Sequence, residues 1–315
     1  MADCFGVIVL AAYRPAPTLL KRQLLSIMNQ SFKHWSCIIG FDGPDPAAVA
    51  LVRTIVGPDS RFRLVEFPHN VGVYRHFERL LTMVESEAAW IALSDQDDYW
   101  HQHKLETLVG ALETSSHTGV ACQARVVTDS GVELGLTTRR AKALVPLLLL
   151  NEVTGCFSIF RREVLTLALP FPAETELSIH DHWLGVCSEA LQGFHFVDAV
   201  MHDYVQHRAN AIGEVKLRSV PKAMASVMLG RESLGQITSA PWEWRITMAE
   251  ALNARTSSSH AKALRIVAQG TLSPALVRLL FRQSLRGWIP PRVTVALAYA
   301  ALLRRIATSR YRGRN

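Results

Sequence analysis

The chain is short of charge and of cysteine, and each scarcity excludes something. Only 19% of its 315 residues are charged while 49% are hydrophobic. Global disorder is therefore excluded, and a sizeable core fits one large domain or one domain plus an appendage. Five cysteines (Cys4, Cys37, Cys122, Cys156, Cys187) are scattered, odd in number and without a C-x-x-C pair. That excludes a disulfide framework or zinc cluster and suits a reducing, cytoplasmic compartment. No apolar run reaches the roughly 20 residues that cross a bilayer. The best stretch, Val293 to Leu303, has 11. A strand-like "FGVIVLAA" follows Met1 too soon for a charged leader and cleavage site, so no secretory signal is expected. Internal repeats and low-complexity segments are absent.

The most informative scarcity is of one sign of charge. Beyond Glu250 there is no Asp or Glu, while Lys and Arg number twelve; the whole chain is +7, which leaves −5 on the first 250 residues by subtraction. An acidic body carries a basic tail.

What is present is alternation. Short β-branched or aromatic runs ("FGVIVLA", "SCIIGF", "FRLVEF", "WIALS", "VACQARV", "CFSIF") are separated by helical patterns such as Leu20, Leu24, Ile27 and Met28, or Phe77, Leu80, Leu81 and Val84. Such alternation predicts an α/β fold with a mainly parallel sheet covered on both faces. Ligands collect beyond the carboxyl ends of such strands, where this chain places "AYRPAP", "FDGPD", "PHNVGVYR" and "SDQDDYW". From about Val215 the alternation stops. A body over 1–214 and a helical basic region over 215–315, punctuated by Pro221, Pro241, Pro274 and Pro290-Pro291, are expected.

Three constellations carry chemistry. In "WIALSDQDDYW" a buried strand ends in Asp95, Asp97 and Asp98, which repel one another unless a cation sits among them. Mg²⁺ or Mn²⁺ takes such oxygens and bridges them to substrate phosphates. The alternative is a solvated acidic turn, with Asp98 capping a helix that begins near Gln102. A haloacid-dehalogenase-type phosphatase is excluded, since its aspartate pair follows an early strand and has a threonine or valine where Tyr99 stands. In "IHDHWL" Asp181 near a helix start is stabilised as an anion and can accept a proton from a hydroxyl, or it is simply an N-cap. His180 and His182 beside it are ligands or polar surface residues. In "YVQHRANAIG" His207 suits a cation site and Arg208 a leaving phosphate, or each is a surface residue.

In their order these segments resemble the family 2 glycosyltransferases of the GT-A fold, especially bacterial rhamnosyltransferase-like members with a "SDQDDxW" metal motif. "VIVLAAY", "FDGP", "HNVGVYRHF", "NEVTGCFSIFRR", "HDHWL" and "YVQHRANAIG" all match, over about residues 5–214. The resemblance implies that Tyr13, Arg14 and Asp42 hold base and ribose, with Asn70 and Gly72 shaping that pocket. Arg75 would reach the nucleotide or diphosphate, and Asp95 the ribose. Asp97 would bind the divalent cation with His207, Asp98 would line the donor sugar, and Asp181 would be the base. This chain has Phe41-Asp42-Gly43-Pro44 where relatives read Asp-Asp-Gly-Ser, and "AAYRPAP" lacks their Thr-Tyr-Asn-Gly. The donor nucleotide is therefore left open.

The expected function is metal-dependent inverting transfer from a nucleotide-diphospho-sugar, dTDP-rhamnose favoured and a UDP-sugar possible, to a glycan or lipid-linked acceptor in bacterial surface polysaccharide synthesis. A catalytically inactive nucleotide-sugar-binding scaffold is the alternative. A sugar-nucleotide nucleotidyltransferase would want a glycine-rich loop that "AAYRPAPT" lacks. The segment "WIPPRVTVALAYAALLRRIATSRYRGRN" either lies on an anionic membrane surface, placing the protein peripherally on its inner face, or packs on the body with a solvated basic end. No aromatic-basic module points to nucleic acid.

Overall fold

The computed structural model describes residues 4–206, 234–257 and 260–312. They divide into two compact units, one of residues 4–141, 152–171 and 179–206, the other of 142–151, 172–178, 234–257 and 260–312.

The first unit is built on β1 (Gly6–Ala12), β2 (Trp35–Phe41), β3 (Phe62–Glu66), β4 (Trp90–Ser94), β5 (Tyr99–Trp100), β6 (Gly119–Thr128), β7 (Glu133–Leu136), β8 (Ser158–Arg161) and β9 (Phe194–Gln206). They form one sheet in the order β3-β2-β1-β4-β8-β6-β9-β5, with β7 beside β6. The predicted parallel character holds from β3 to β4 and between β6 and β9. Elsewhere the sheet is mixed, because β8 runs antiparallel to both neighbours and β5 antiparallel to β9. Two-residue β5 and exposed β7 carry too little apolar pattern to be seen in sequence.

Helices α1 (Pro17–Met28), α2 (Pro46–Val56), α3 (Gly72–Leu81), α4 (Lys104–Glu113), α6 (Val164–Ala168) and α7 (His180–Leu191) belong to this unit, with α5 (Leu144–Leu149) in the other. The central strands are apolar because both faces are covered: Val7, Ile8, Val9, Leu10, Ile91, Ala92 and Leu93 have no exposure. The "CF" of "CFSIF" is not strand. Gly155–Phe157 is a 3-10 turn that leads into β8.

The second unit contains α5, α8 (Leu234–Arg255), α9 (Ala261–Gln269), α10 (Pro274–Leu285) and α11 (Pro291–Arg312). Pro241, expected as a break, lies inside α8, where burial of Trp242, Trp244, Met248 and Leu252 sustains the helix. Pro274 instead starts α10 behind the Ser273 cap, whose hydroxyl accepts from Leu276 N–H at 3.2 Å. Trp242 Nε1 donates to Leu297 O at 3.0 Å and Leu272 N–H to Ala301 O at 3.1 Å. No single described helix is long and apolar enough to cross a membrane; α9 and α10 together reach that length but are bent by 114°.

Candidate functional site

The exits of β1, β2 and β4 are fastened to one another before any ligand is considered. Tyr13 N–H donates to Gln96 Oε1 at 2.7 Å and Gln96 Nε2 returns a bond to Tyr13 O at 3.1 Å, tying the β1 exit to the β4 exit. Beneath them α1 and the turn that follows it bury a polar row that the apolar stripe of α1 conceals. Gln23 Nε2 donates to Ser94 Oγ at 2.8 Å, Ser26 Oγ accepts from Trp100 N–H at 3.1 Å, and Gln30 Nε2 donates to His101 O at 2.9 Å. Arg22 Nη2 adds a bond to Asp97 O at 3.1 Å. The acidic turn is thereby held along its whole length.

Its three carboxylates have different surroundings. Asp95 and Asp97 are half-buried, whereas Asp98 has no exposed surface. Asp98 Oδ1 accepts from Val205 N–H at 3.0 Å, and Oδ2 lies 2.9 Å from His202 Nε2. It therefore caps no helix: α4 starts at Lys104 behind His103. Expected to line the donor sugar, Asp98 instead faces inward. Burial works against its charge, but His202 and the Val205 N–H outweigh that and hold the carboxyl below its ordinary range. Asp95 moves the other way, well above the carboxylate range, through burial and then the neighbouring charges of Asp98, Asp97 and Asp181.

Lys104, a residue the sequence reading passed over, stands under this corner. Fully buried, its Nζ donates to Cys156 O, lies 3.1 Å from His202 Nδ1 and sits 3.7 Å over the Trp100 ring. Burial lowers its pKa only to about 8, so it stays a cation at neutral pH. Burial and the Lys104 charge push His202 down to about 4, so the imidazole is neutral. Asp98, Cys156 and His202 bring ligand-type atoms within 4.8 Å of one another, but Lys104 already supplies positive charge there. The sequence signal was available: Lys104 opens a helix whose Leu105, Leu108 and Leu112 are core.

Asp181 reaches the same corner from α7. Its Oδ2 accepts from Gly155 N–H at 3.0 Å, its charge helps raise Asp95, and the residue after Gly155, Cys156, places its Sγ within 4.8 Å of Asp98 and His202 ligand atoms. A Cβ on Gly155 would meet Asp181 Cβ at 3.2 Å and Leu93 at 3.0 Å, so glycine lets the turn approach both. The cap alternative fails for Asp181 too, because the N-cap position is Ile179. His180 and His182, read as ligands or surface residues, are both buried, and His180 stacks on Phe77 at 4.0 Å between ring centres.

A cavity of about 260 Å³ opens beside the first two strands, lined by Tyr13, Arg14, Asp42, Asn70 and the unanticipated Pro44 and His69, among others. Tyr13 and Arg14 are exposed, with Arg14 at φ +43° stacked over the Tyr13 ring. Asp42 is spent on local structure: its carboxylate takes bonds from Asn70 Nδ2 at 2.8 Å, Val71 N–H at 2.9 Å and Gly72 N–H at 3.0 Å. It shapes the floor at the start of α3. Arg75 pairs with Glu78 at 2.6 Å. His207 and Arg208 lie outside the described residues.

The glycosyl transferase family 2 model matches residues 7–167, just over half the chain. The chain belongs to glycosyl transferase family 2. It is a glycosyltransferase by that membership. Among solved structures it is similar to S. aureus TarS: the 1-349 fragment with UDP-GlcNAc at 15% identity, covering 94% of this chain and 87% of that one, TM-score 0.56. The same fragment with UDP gives 15% identity, 94% and 86% coverage and 0.53, and a longer TarS 14%, 94% and 52% with 0.55. At such identity the likeness establishes a common GT-A-type fold. No curated protein matches.

Asp95 and Asp97, half-buried at the β4 exit, offer the hard oxygens that Mg²⁺ or Mn²⁺ takes, and the neighbouring carboxylate charges that raise Asp95 are what a cation there would relieve. The residues present fit a divalent cation.

Proposed function

We propose that this family 2 glycosyltransferase moves a sugar from a nucleotide-diphospho-sugar to a glycan or lipid-linked acceptor, with inversion and with a divalent cation held through Asp97 and His207. The observation that carries the reading is the single turn Gly155-Cys156, whose Gly155 N–H holds Asp181 on one side while its Cys156 Sγ lies within 4.8 Å of an Asp98 oxygen on the other. Asp181, in the first turn of α7 where an anion is favoured, takes the proton from the acceptor hydroxyl. The Gly155 N–H fixes the carboxylate for that transfer. The cavity beside Tyr13, Arg14, Asp42 and Asn70 receives the nucleoside, and Asp95 meets the ribose. The cation, when bound, neutralises the departing diphosphate. Arg208 and Arg75 add positive charge to the same group.

The UDP-GlcNAc and UDP complexes of TarS support a nucleoside-diphosphate donor. The rhamnosyltransferase-like motif "SDQDDYW" favours dTDP-rhamnose, with a UDP-sugar as the second candidate. Surface polysaccharide synthesis on the cytoplasmic side of the membrane, with the basic C-terminal region against anionic lipid, completes the reading. Titration calorimetry with a panel of nucleotide-sugars, with and without Mn²⁺, followed by a donor-hydrolysis assay, tests it. Cation-dependent binding with turnover is expected; binding without turnover of any donor would make the chain a scaffold.

A further inference from the structure

We propose that the outward face of α10 is the surface that docks on an anionic lipid bilayer, an inference that localises and rests on the membrane reading above. At 100° per residue, α10 turns Leu276, Leu280 and Gln283 inward, and all three are buried. On the opposite side run two adjacent ribs. Val277, Phe281 and Leu285, spaced four apart, are 45%, 58% and 72% exposed. Arg278, Arg282 and Arg286, each one residue later, are exposed beside them. An apolar rib left in water and flanked by a cationic rib is the pattern of a helix lying in the headgroup boundary.

Charge selects the occupant. Beyond Glu250 the chain has twelve Lys and Arg and no carboxylate side chain, so an anionic surface meets no opposing charge there. At the start of the ribs a cleft of about 440 Å³ is lined by Leu272, Ser273, Pro274, Val277, Arg278 and Arg305, with Arg278 Nε donating to Pro274 O at 3.2 Å and Arg305 Nη1 to Leu272 O at 2.9 Å at its rim. The apolar segment noted in sequence falls on α11, which also exposes Val295, Leu302 and Ile306; on α10 the exposed apolar rib runs directly beside an arginine rib.

The test uses the full chain and sedimentation with phosphatidylglycerol vesicles against phosphatidylcholine vesicles. Wild type is expected to sediment with the first and not the second. Phe281→Ser with Leu285→Ser should weaken binding about tenfold, and Arg278→Gln with Arg282→Gln and Arg286→Gln about a hundredfold at low salt, roughly fivefold per arginine. Both variants should keep the wild-type melting temperature and donor hydrolysis. Wild type that ignores anionic vesicles overturns both this inference and the membrane reading. Wild-type binding that neither variant weakens overturns this face alone. Light scattering in which the serine variant turns a dimer into a monomer, with vesicle binding unchanged, would reassign the face to a second copy of the chain. Vesicle binding that fails in the variants while no donor is hydrolysed supports the surface and refutes the enzymatic reading.

Discussion

Lys104, Asp98 and His202 of the sheet-bearing unit have no exposed surface, whereas Arg278, Arg282 and Arg286 of the helical unit stand in water along one helix. The difference is one of what charge is for. Inside, an ion is costly unless paired and hydrogen-bonded, so each one fixes the position of its neighbours. Outside, an ion fixes little and is screened, but it can select a partner. Among its described residues the helical unit has one exception: Arg245 is 9% exposed, and burial lowers its pKa to about 10. Its Nε donates to Leu149 O at 2.8 Å, joining α8 to α5. There too the buried charge is structural.

The comparison breaks most sharply at Asp181 and Asp97, the aspartates proposed to carry transfer. Asp181→Asn keeps a carbonyl for the Gly155 N–H, so the fold should survive while transfer falls by a factor of about 10²–10⁴, the ordinary yield of a general base. Asp97→Asn should abolish cation-dependent transfer as well. A purified variant that turns over within a few-fold of wild type removes its residue from the mechanism.

Next in size is the buried cation. Lys104→Met leaves the Asp98 corner without its neighbouring positive charge and should destabilise the protein by about 3–5 kcal/mol in urea unfolding. Adding Asp98→Asn should restore most of that loss, since the stranded charge is then gone. If Lys104→Met unfolds at the wild-type urea concentration, buried charge is not what organises this corner.

Smaller again is a dependence on pH. Burial alone lowers the His180 pKa from 6.5 to about 3. The unfolded chain takes up that proton near pH 6.5 and the folded one only near pH 3, so stability is level above this window and falls as the pH drops through it. The loss is about 2 kcal/mol by pH 5 from this residue. His202, lowered to about 4, adds to it in the same direction. Phe77 covers one face of the His180 ring, and a glutamine there should keep the packing roughly while flattening the slope. An unchanged acid limb in His180→Gln, followed by thermal unfolding, would mean that other groups set it.

The strands and the order of motifs were legible because their signals are local: apolar runs with turn residues at both ends. "WIALSDQDD" announced an acidic strand exit, and Tyr13, Arg14, Asp42 and Asn70 do line one cavity. What was not legible is the direction each side chain takes. Asp95 and Asp98 differ by three positions, yet one is half-buried and the other wholly enclosed, because Val205 and His202 arrive from a strand more than a hundred residues later. The polar row Gln23, Ser26 and Gln30 was hidden for the same reason. Each looks solvent-facing until its partners at 94, 100 and 101 are known.

The smallest effect on the folded protein belongs to the other side of the comparison. Replacing Arg278, Arg282 or Arg286 singly should change stability by less than about 0.5 kcal/mol, since each is exposed and surface charge contributes little to folding. The same charges should dominate a salt titration of vesicle binding. Raising ionic strength from about 0.01 to 1 M shortens the Debye length from about 30 to 3 Å, which should release most of the wild-type protein from anionic vesicles and much less of whatever the triple variant still binds. Unfolding midpoints should hardly move over that range, because the interior pairs around Asp98 are not reached by the salt. A large shift in stability with salt, or vesicle binding indifferent to it, would erase the distinction between charge that builds the protein and charge that recognises its partner.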